Sequence, residues 1–398
     1  GSVVGFMKYL TLSGLYNTGA VSGYEYVGGI VGYMGNASLS EVYNTGAVTG
    51  INGSTAKEDS VAIGGIVGMT DNVGASHISN AYNTGAIQGG SDIGGIAGLL
   101  NRNVYISNAY NTGTLAGKYP NLVGGIAGDS SGTIEKSYST GDFSLVGYLD
   151  SDYGGRCDEK SAKKTLEELQ QMSLADYGFD STIWRTYTGR TTPLLRAFLQ
   201  TVNVSGQTAV TYDGQVHSVD LGKLTYSMAV NTSKITAVQQ RKAGTYSLAD
   251  ILYSGQDGYD LVVAPSAALV INKKTITPSL LVTTGLDKTY DGTASAALGD
   301  NYQFASGDII AGDTVTLTAV GTYANGKNAS ATAETVNFTD LLPGGASGDN
   351  YQVADTVTTL TGTGTIKPAS LTVALKEPVT KTYDGTTAAP TLARGTNY

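Results

Sequence analysis

Cysteine occurs once in the 398 residues, at Cys157, so no intramolecular disulfide can brace this chain. Asp158 and Glu159 stand beside it and raise a thiol's pKa, with Arg156 offsetting part of the effect, which is the wrong setting for a reactive thiolate. Histidine occurs twice, as His77 and His217, too few and too far apart in sequence for a triad or a metal cluster to be assembled around them. Charged residues make up only 14% of the chain; the net charge is −9 and no basic cluster interrupts it. Nucleic acid and anionic membrane surfaces are therefore poor partners. No apolar run approaches the ~20 residues that span a bilayer, so no membrane insertion is expected.

Glycine is abundant, 54 residues, but without the three-residue period of collagen, and a hydrophobic content of 41% is too high for a disordered tail. Tyrosine outnumbers phenylalanine 26 to 6, which suits strand surfaces that bury the ring and leave the hydroxyl wet. The organising stretch is Ala81-Tyr82-Asn83-Thr84-Gly85 followed by Ile93-Gly94-Gly95-Ile96-Ala97-Gly98. Its tyrosine recurs at Tyr16, Tyr43, Tyr82, Tyr110 and, in the variant Tyr-Ser-Thr-Gly, at Tyr138, with spacings of 27, 39, 28 and 28 residues by subtraction. A period near 28 marks one supersecondary unit that buries its apolar face only by stacking on its neighbours.

Within one unit, Ile78, Asn80 and Tyr82 are expected on one face of an extended segment, and Leu12, Leu39, Ile78, Ile106 and Ile134 stand four residues before each tyrosine. Asn-Thr-Gly then supplies a turn, a short strand comes next, and the glycine pairs mark bends or close backbone approach. About three short strands per coil, pairing in parallel at about 4.8 Å per coil, would give in-register ladders of Ile, Tyr and Asn and a rise of about 24 Å over five coils. The extra length between Tyr43 and Tyr82 falls at 51–60, read as a bulging polar loop. A right-handed parallel β-helix over 1–149 is the expected fold; a β-propeller is the alternative, but its blades need about 40 residues.

At 150–200 the rhythm stops. Thr165-Leu166-Glu167-Glu168 fits a capping box, and Leu166, Leu169 and Met172 form a helical stripe. Trp184, Leu194, Leu195 and Phe198 are expected to plug the open end of the β-helix, where unpaired strand edges invite aggregation. From 201 onward Thr- and Val-rich alternation replaces glycine. Thr-Tyr-Asp-Gly recurs at Thr211–Gly214, Thr289–Gly292 and Thr382–Gly385, and Gly-Asp-Asn-Tyr at Gly299–Tyr302 and Gly348–Tyr351. Short alternating strands at Gln215–Leu221, Leu224–Val230, Tyr246–Leu252, Leu261–Val263, Ala268–Ile271, Thr314–Ala319 and Thr356–Leu360 argue for antiparallel β modules, sandwich-like or β-grasp-like, over 201–272 and 273–367, with a further copy beginning at 368–398.

The pairing of Tyr-Asn-Thr-Gly with Val-Gly-Gly-Ile-Val-Gly resembles the glycine-rich GLUG-type repeats of bacterial surface exoproteins, the filamentous-haemagglutinin-like adhesins exported by two-partner secretion. The Trp184-Arg185 and Thr192-Pro193-Leu194-Leu195-Arg196 segment is similar to the sequence found after such repeats in that group, and 201–272 and 273–367 resemble MBG and YDG repeat domains. The resemblance implies an internal fragment of a large secreted surface protein that binds polysaccharide or a cell-surface glycan, or serves as a stalk, in attachment and biofilm aggregation. It also implies an outer-membrane secretion partner for the parent.

Candidate chemistry is sparse. Asp150-Ser151-Asp152-Tyr153-Gly154 faintly resembles a calcium loop but has Gly one position early. Asp213, Asp291 and Asp384 recur in Tyr-Asp-Gly, ordinary turn chemistry. Glu41, Glu58 and Asp71 fall at unmatched repeat positions, which disfavours the alternative of a β-helical polysaccharide-degrading enzyme. No catalytic, cofactor-binding or metal-binding residue is assigned, and no cofactor is expected. A self-assembling matrix protein, joined through strand edges or Cys157, is the third reading. Sequons stand at Asn36, Asn52, Asn203, Asn231, Asn328 and Asn337.

Overall fold

The computed structural model describes residues 1–51, 61–392 and 394–395. The expected polar loop, apart from Ile51, lies outside these residues, as do Glu58 and Asn52. The described chain is almost entirely β and divides into two compact units, Gly1–Gln207 with Val219–Val238 and Ser247–Ala268, and Thr208–Ser218 with Gln239–Tyr246 and Leu269–Tyr398.

The first unit opens with a parallel β-helix whose coils carry four strands where three were expected. In the second coil these are Ser38–Asn44, Val48–Gly50, Val61–Gly64 and Val67–Thr70. Each strand pairs in parallel with its counterparts in adjacent coils, so four sheets run along the axis. The fourth strand arises because Val-Gly-Gly-Ile-Val-Gly is cut in two by a bend at its glycine pair. A Cβ on Gly95 would overlap the Gly125 carbonyl and lie 2.5 Å from Asn111 Cγ, so only glycine lets the next coil approach there.

A second bend occurs inside the tyrosine-bearing strand. Gly14, Glu41, Asn80, Asn108 and Lys136 occupy equivalent positions and all have positive φ, from 46° to 69°. That left-handed residue breaks strand alternation, which overturns the expectation that Ile78, Asn80 and Tyr82 share a face. Ile78 and Ala81 both point into the coil interior, while Tyr82 points out of it. The interior columns are in register: Leu12, Leu39, Ile78, Ile106 and Ile134 succeed one another, and Cys157 pairs with Ile134 at the last step.

That last step also shows how the coil stack is closed. Val146–Leu149, Arg156–Cys157 and Ala162–Lys163 continue the sheets as a partial coil, with Val146 and Cys157 packed against the interior. The aromatic segment after it does not plug the end. Trp184, Leu195 and Phe198 lie along the flank with Tyr43, Tyr82, Tyr110 and Tyr138, and Leu194 pairs with Arg185 in the short hairpin that holds them. The partial coil extends two of the four sheets over the end, whereas the outward tyrosine column left a long apolar flank to cover. The helix Leu166–Gln171 has its capping box, Thr165 Oγ1 accepting from Glu168 N and Glu168 Oε2 accepting from Thr165 N. Of the expected stripe, Leu169 is buried and Met172 packs beside it, while Leu166 is exposed.

Further along the first unit, Gln200–Ser205 pairs in parallel with Tyr259–Val263 and antiparallel with Thr225–Tyr226. The second unit holds a three-stranded sheet of 208–211, 269–272 and 244–246 and a five-stranded sheet around Thr316–Tyr323, Ser330–Gly344 and Leu360–Lys367. Parallel pairs thus join the antiparallel ones, as in Lys274–Ile276 with Tyr351–Val353. Several expected strands differ. Residues 215–221 hold only the His217 to Gln240 bridge, and Leu248–Ile251 is a helical turn begun by Ser247 Oγ. Thr356–Leu360 gives way to the later strand Leu360–Lys367. Residues 368–392 carry no strand, and Leu371 and Tyr383 are exposed.

Candidate functional site

The repeated residues build two ladders. Asn17 Nδ2 donates to Asn44 Oδ1 at 2.7 Å, Asn44 Nδ2 to Asn83 Oδ1 at 2.7 Å and Asn83 Nδ2 to Asn111 Oδ1 at 2.8 Å. Each amide's second hydrogen goes to the glycine carbonyl two residues on, at Gly19, Gly46, Gly85 and Gly113. Buried amides are thereby satisfied without charge or water. The column ends at Ser139, whose buried hydroxyl has no partner among the described residues.

Beside it the rings of Tyr16, Tyr43, Tyr82 and Tyr110 stack at 5.3, 5.1 and 5.0 Å, within 11° of parallel. Phe198 meets Tyr43 edge-on at 4.9 Å, and Trp184 leans over Tyr82 and Tyr110. Three of the covered hydroxyls are matched: Tyr82 with Gln256 Oε1, Tyr110 with the Pro193 carbonyl at 2.6 Å, Tyr138 with the Tyr177 carbonyl. Trp184 is fully buried and its Nε1 donates to Asn80 Oδ1, the left-handed residue of its strand. Burial raises the Tyr82 and Tyr110 phenols well above their usual range. The ladder tyrosines and asparagines are therefore structural. Of the ladder tyrosines only Tyr16, at 54% exposure, remains open to solvent.

The polar feature with the shape of a site lies where the covering segment meets the end of the unit. Asp260, 4% exposed, accepts a hydrogen bond from Arg196 and lies 3.2 Å from Arg185 Nε as an ion pair, so two cations share one carboxylate. The Tyr187 hydroxyl bridges the Tyr259 carbonyl and Leu261 N, and its ring lies 4.3 Å beneath the Arg185 guanidinium. Gln256 clamps Leu195 through both backbone groups. A cleft of about 420 Å³ opens beside this cluster, lined by Arg185, Thr186, Thr188, Arg190 and Asp250, and a second of about 280 Å³ adjoins it. Guanidinium groups, hydroxyls and one carboxylate are what a hydroxylated or acidic ligand would meet there. Sequence reasoning missed this cluster because Arg185 and Asp260 lie 75 residues apart by subtraction, with no shared motif.

The residues singled out from sequence fall elsewhere. His77 is exposed and stacks on Tyr105 at 5.1 Å, in register with it and with Thr133 beyond. His217 Nε2 meets Asp213 Oδ1 at 2.8 Å. Asp150 caps the turn Ser151–Tyr153, with Gly154 left-handed behind it. Asp71 is buried and accepts from Val73 N, and Glu41 holds its strand's bend. Cys157 is half-buried; burial first, then Asp158, pushes its thiol up. Asp291 accepts from Thr293 N, Thr293 Oγ1 and Lys288 Nζ, and Asp384 repeats this set with Thr386 and Lys381. Among the described residues no group of three or more His, Cys, Asp or Glu is placed to hold a metal ion.

Residues 272–359 match the family model of the YDG domain, the stretch that contains Thr289–Gly292 and both Gly-Asp-Asn-Tyr markers. No curated protein and no solved structure matches the chain.

Proposed function

We propose that the chain is a non-catalytic segment of a large secreted bacterial surface adhesin, akin to filamentous-haemagglutinin-like exoproteins with GLUG-type repeats followed by MBG- and YDG-type domains. In the cell-surface setting it acts in attachment and cell–cell aggregation, chiefly as a stiff spacer. The observation that carries this is the pair of sealed ladders: the repeated side chains are consumed by packing between coils and under the flanking segment, which supports a mechanical role for the repetition. A YDG domain beside it is compatible with a modular surface protein. Export by two-partner secretion, through an outer-membrane partner, belongs to the same reading.

The cleft beside Arg185 and Arg190 favours a second reading, recognition of an acidic polysaccharide by the same segment. An array of neutral and acidic polysaccharides probed with the full chain and with Arg190→Ala separates the two. Saturable binding that Arg190→Ala abolishes assigns recognition to the cleft, and absence of binding by the folded chain leaves the spacer. Shortened polysaccharide recovered from the same incubations would overturn the non-catalytic reading.

A further inference from the structure

Tyr212 and Tyr290 are the same residue of the recurring Tyr-Asp-Gly turn, and the structure gives them opposite fates. Both stand next to the residue at which their module ends: Tyr212 N donates to the Asn272 carbonyl at 2.9 Å, Tyr290 N to the Lys367 carbonyl at 2.7 Å. Both precede a left-handed glycine, Gly214 at φ 78° and Gly292 at φ 83°. In each the aspartate accepts from the backbone N–H two residues on, Gln215 or Thr293. The turn therefore faces the next module along the chain.

For the first module, that neighbour supplies a receptacle. The Tyr212 hydroxyl donates to Asp313 Oδ2 at 2.9 Å, and the Tyr351 hydroxyl donates to the same oxygen at 2.5 Å while accepting from Ile310 N. The two rings meet edge to face at 5.6 Å. Asn350 Oδ1 accepts from Ala243 N at 2.9 Å, and Gly214 sits so close to Ile310 that a Cβ would lie 2.8 Å from its Cγ2. Tyr212 is buried by this contact, with 4% of its surface exposed. The receptacle comes from Gly312-Asp313 and Gly348-Asp349-Asn350-Tyr351, the second of which is the Gly-Asp-Asn-Tyr marker. Tyr290 is 39% exposed, and its hydroxyl has no hydrogen-bond partner among the described residues.

We propose that the Tyr290-Asp291-Gly292 turn is a docking surface for a further module of the same type, whose Asp and Tyr equivalent to Asp313 and Tyr351 close on the Tyr290 hydroxyl as they close on Tyr212. The joint between modules is then a repeated, side-chain-coded coupling. One clamped tyrosine per joint fixes the order in which turn and receptacle meet, and a module lacking either half swings free. This holds whether or not the chain is an adhesin.

The test supplies the receptacle in this chain. Lys381-Thr382-Tyr383-Asp384-Gly385-Thr386 repeats residues 288–293, so a second copy of residues 303–367 placed after Tyr398 completes a third module. Nitration of Tyr290 by tetranitromethane is then followed by peptide mass spectrometry, with Tyr212 as the docked standard and Tyr383, 92% exposed, as the free one. The expected result is a Tyr290 rate at least about tenfold below that in the original chain, approaching that of Tyr212 and restored when the added copies of Asp313 and Tyr351 are changed to Asn and Phe. As a second design, residues 273–367 are duplicated in tandem ahead of residue 368. Hydrogen exchange at the added copies of Val336 and Phe338 reports whether each extension folds. A Tyr290 rate equal to that of the original chain in a design whose extension folds overturns the proposal, as does slowing that survives the Asn and Phe changes.

Discussion

Asn83 is the residue on which the repeat's energetics are most exposed, because its side-chain amide gives one hydrogen to the rung above and one to its own turn. Asn83→Ala orphans buried partners on both sides, at about 1–3 kcal/mol for each unsatisfied group. Asn17→Ala acts at a half-exposed rung where water substitutes. Urea denaturation should therefore show a much larger loss for Asn83→Ala, and equal losses would refute the ladder as a source of stability. A second residue carries a pH signature. Burial first, then Asp129, raises the Asp92 carboxyl to about 6, above the usual value near 4 for an unfolded chain. An acid whose folded pKa is raised holds its proton more tightly when folded, so its contribution to stability is full below about pH 4 and lost as pH rises through 6. Asp92 also has a φ of 45°, which asparagine tolerates well. Asp92→Asn is expected to raise the melting temperature at pH 8 and to leave it unchanged at pH 3.5. A gain of the same size at both would contradict the shift.

Among the elements, the flanking segment is held by two kinds of contact that fail differently. Trp184→Ala removes the largest buried side chain over the tyrosine column, and Phe or Trp truncation of this kind costs about 3–5 kcal/mol. Limited proteolysis should then cut within 160–199 before it cuts the coils; simultaneous loss of both would mean that the flank is not a separable cover. Asp260→Asn leaves Arg185 and Arg196 facing each other without their shared carboxylate, and breaking a buried ion pair in this way costs about 3–5 kcal/mol. Its melting temperature should fall well below that of Asp257→Asn, whose carboxylate is exposed and 3.8 Å from Lys234. The elements also show where sequence was informative. Tyr-Asn-Thr-Gly and Gly-Gly-Ile revealed the coil because stacking demands identity at each rung. The bend inside the tyrosine strand was hidden, since Gly14, Glu41, Asn80, Asn108 and Lys136 share a backbone angle but no single side-chain type common to all five. The flank's position was hidden too, because Trp184 and Phe198 advertise burial without saying against what. The strand Ser330–Gly344 escaped notice because its Asp340 has a φ of 52° and its first half, Ser-Ala-Thr-Ala-Glu, lacks apolar alternation.

For the molecule as a whole, few of the contacts that order the coils involve charge. The ladders are amide and ring stacks, and the interior columns are Ile, Leu, Val and Ala. Salt screens exposed charges over a Debye length of about 10 Å at 0.1 M and leaves such stacks alone. Unfolding of the coils, monitored by circular dichroism, is expected to shift by no more than a few degrees between 0.05 and 1 M sodium chloride; a strong salt dependence would point to charge networks as the main support. Reading the sequence alone identified the class of fold, because the stacked coils rest on repetition. The Arg185–Asp260–Arg196 cluster and the Tyr212–Asp313 clamp could not be read that way, since each joins residues far apart in sequence, and neither Asp260 nor Asp313 stands in a repeated motif.

The corner after each strand of the Val21–Gly23 column has a consequence for engineering. Between the register-equivalent residues Gly23 and Val27, Gly50 and Ile63, Gly89 and Ile93, and Gly117 and Val123 the chain inserts three, twelve, three and five residues by subtraction, while the strands on either side keep their register. One vertical seam of the coil thus accommodates connections of different lengths, and rungs about 4.8 Å apart set their spacing. Peptide epitopes grafted at successive rungs would be presented as a ruled column, with their separation chosen in whole-coil steps.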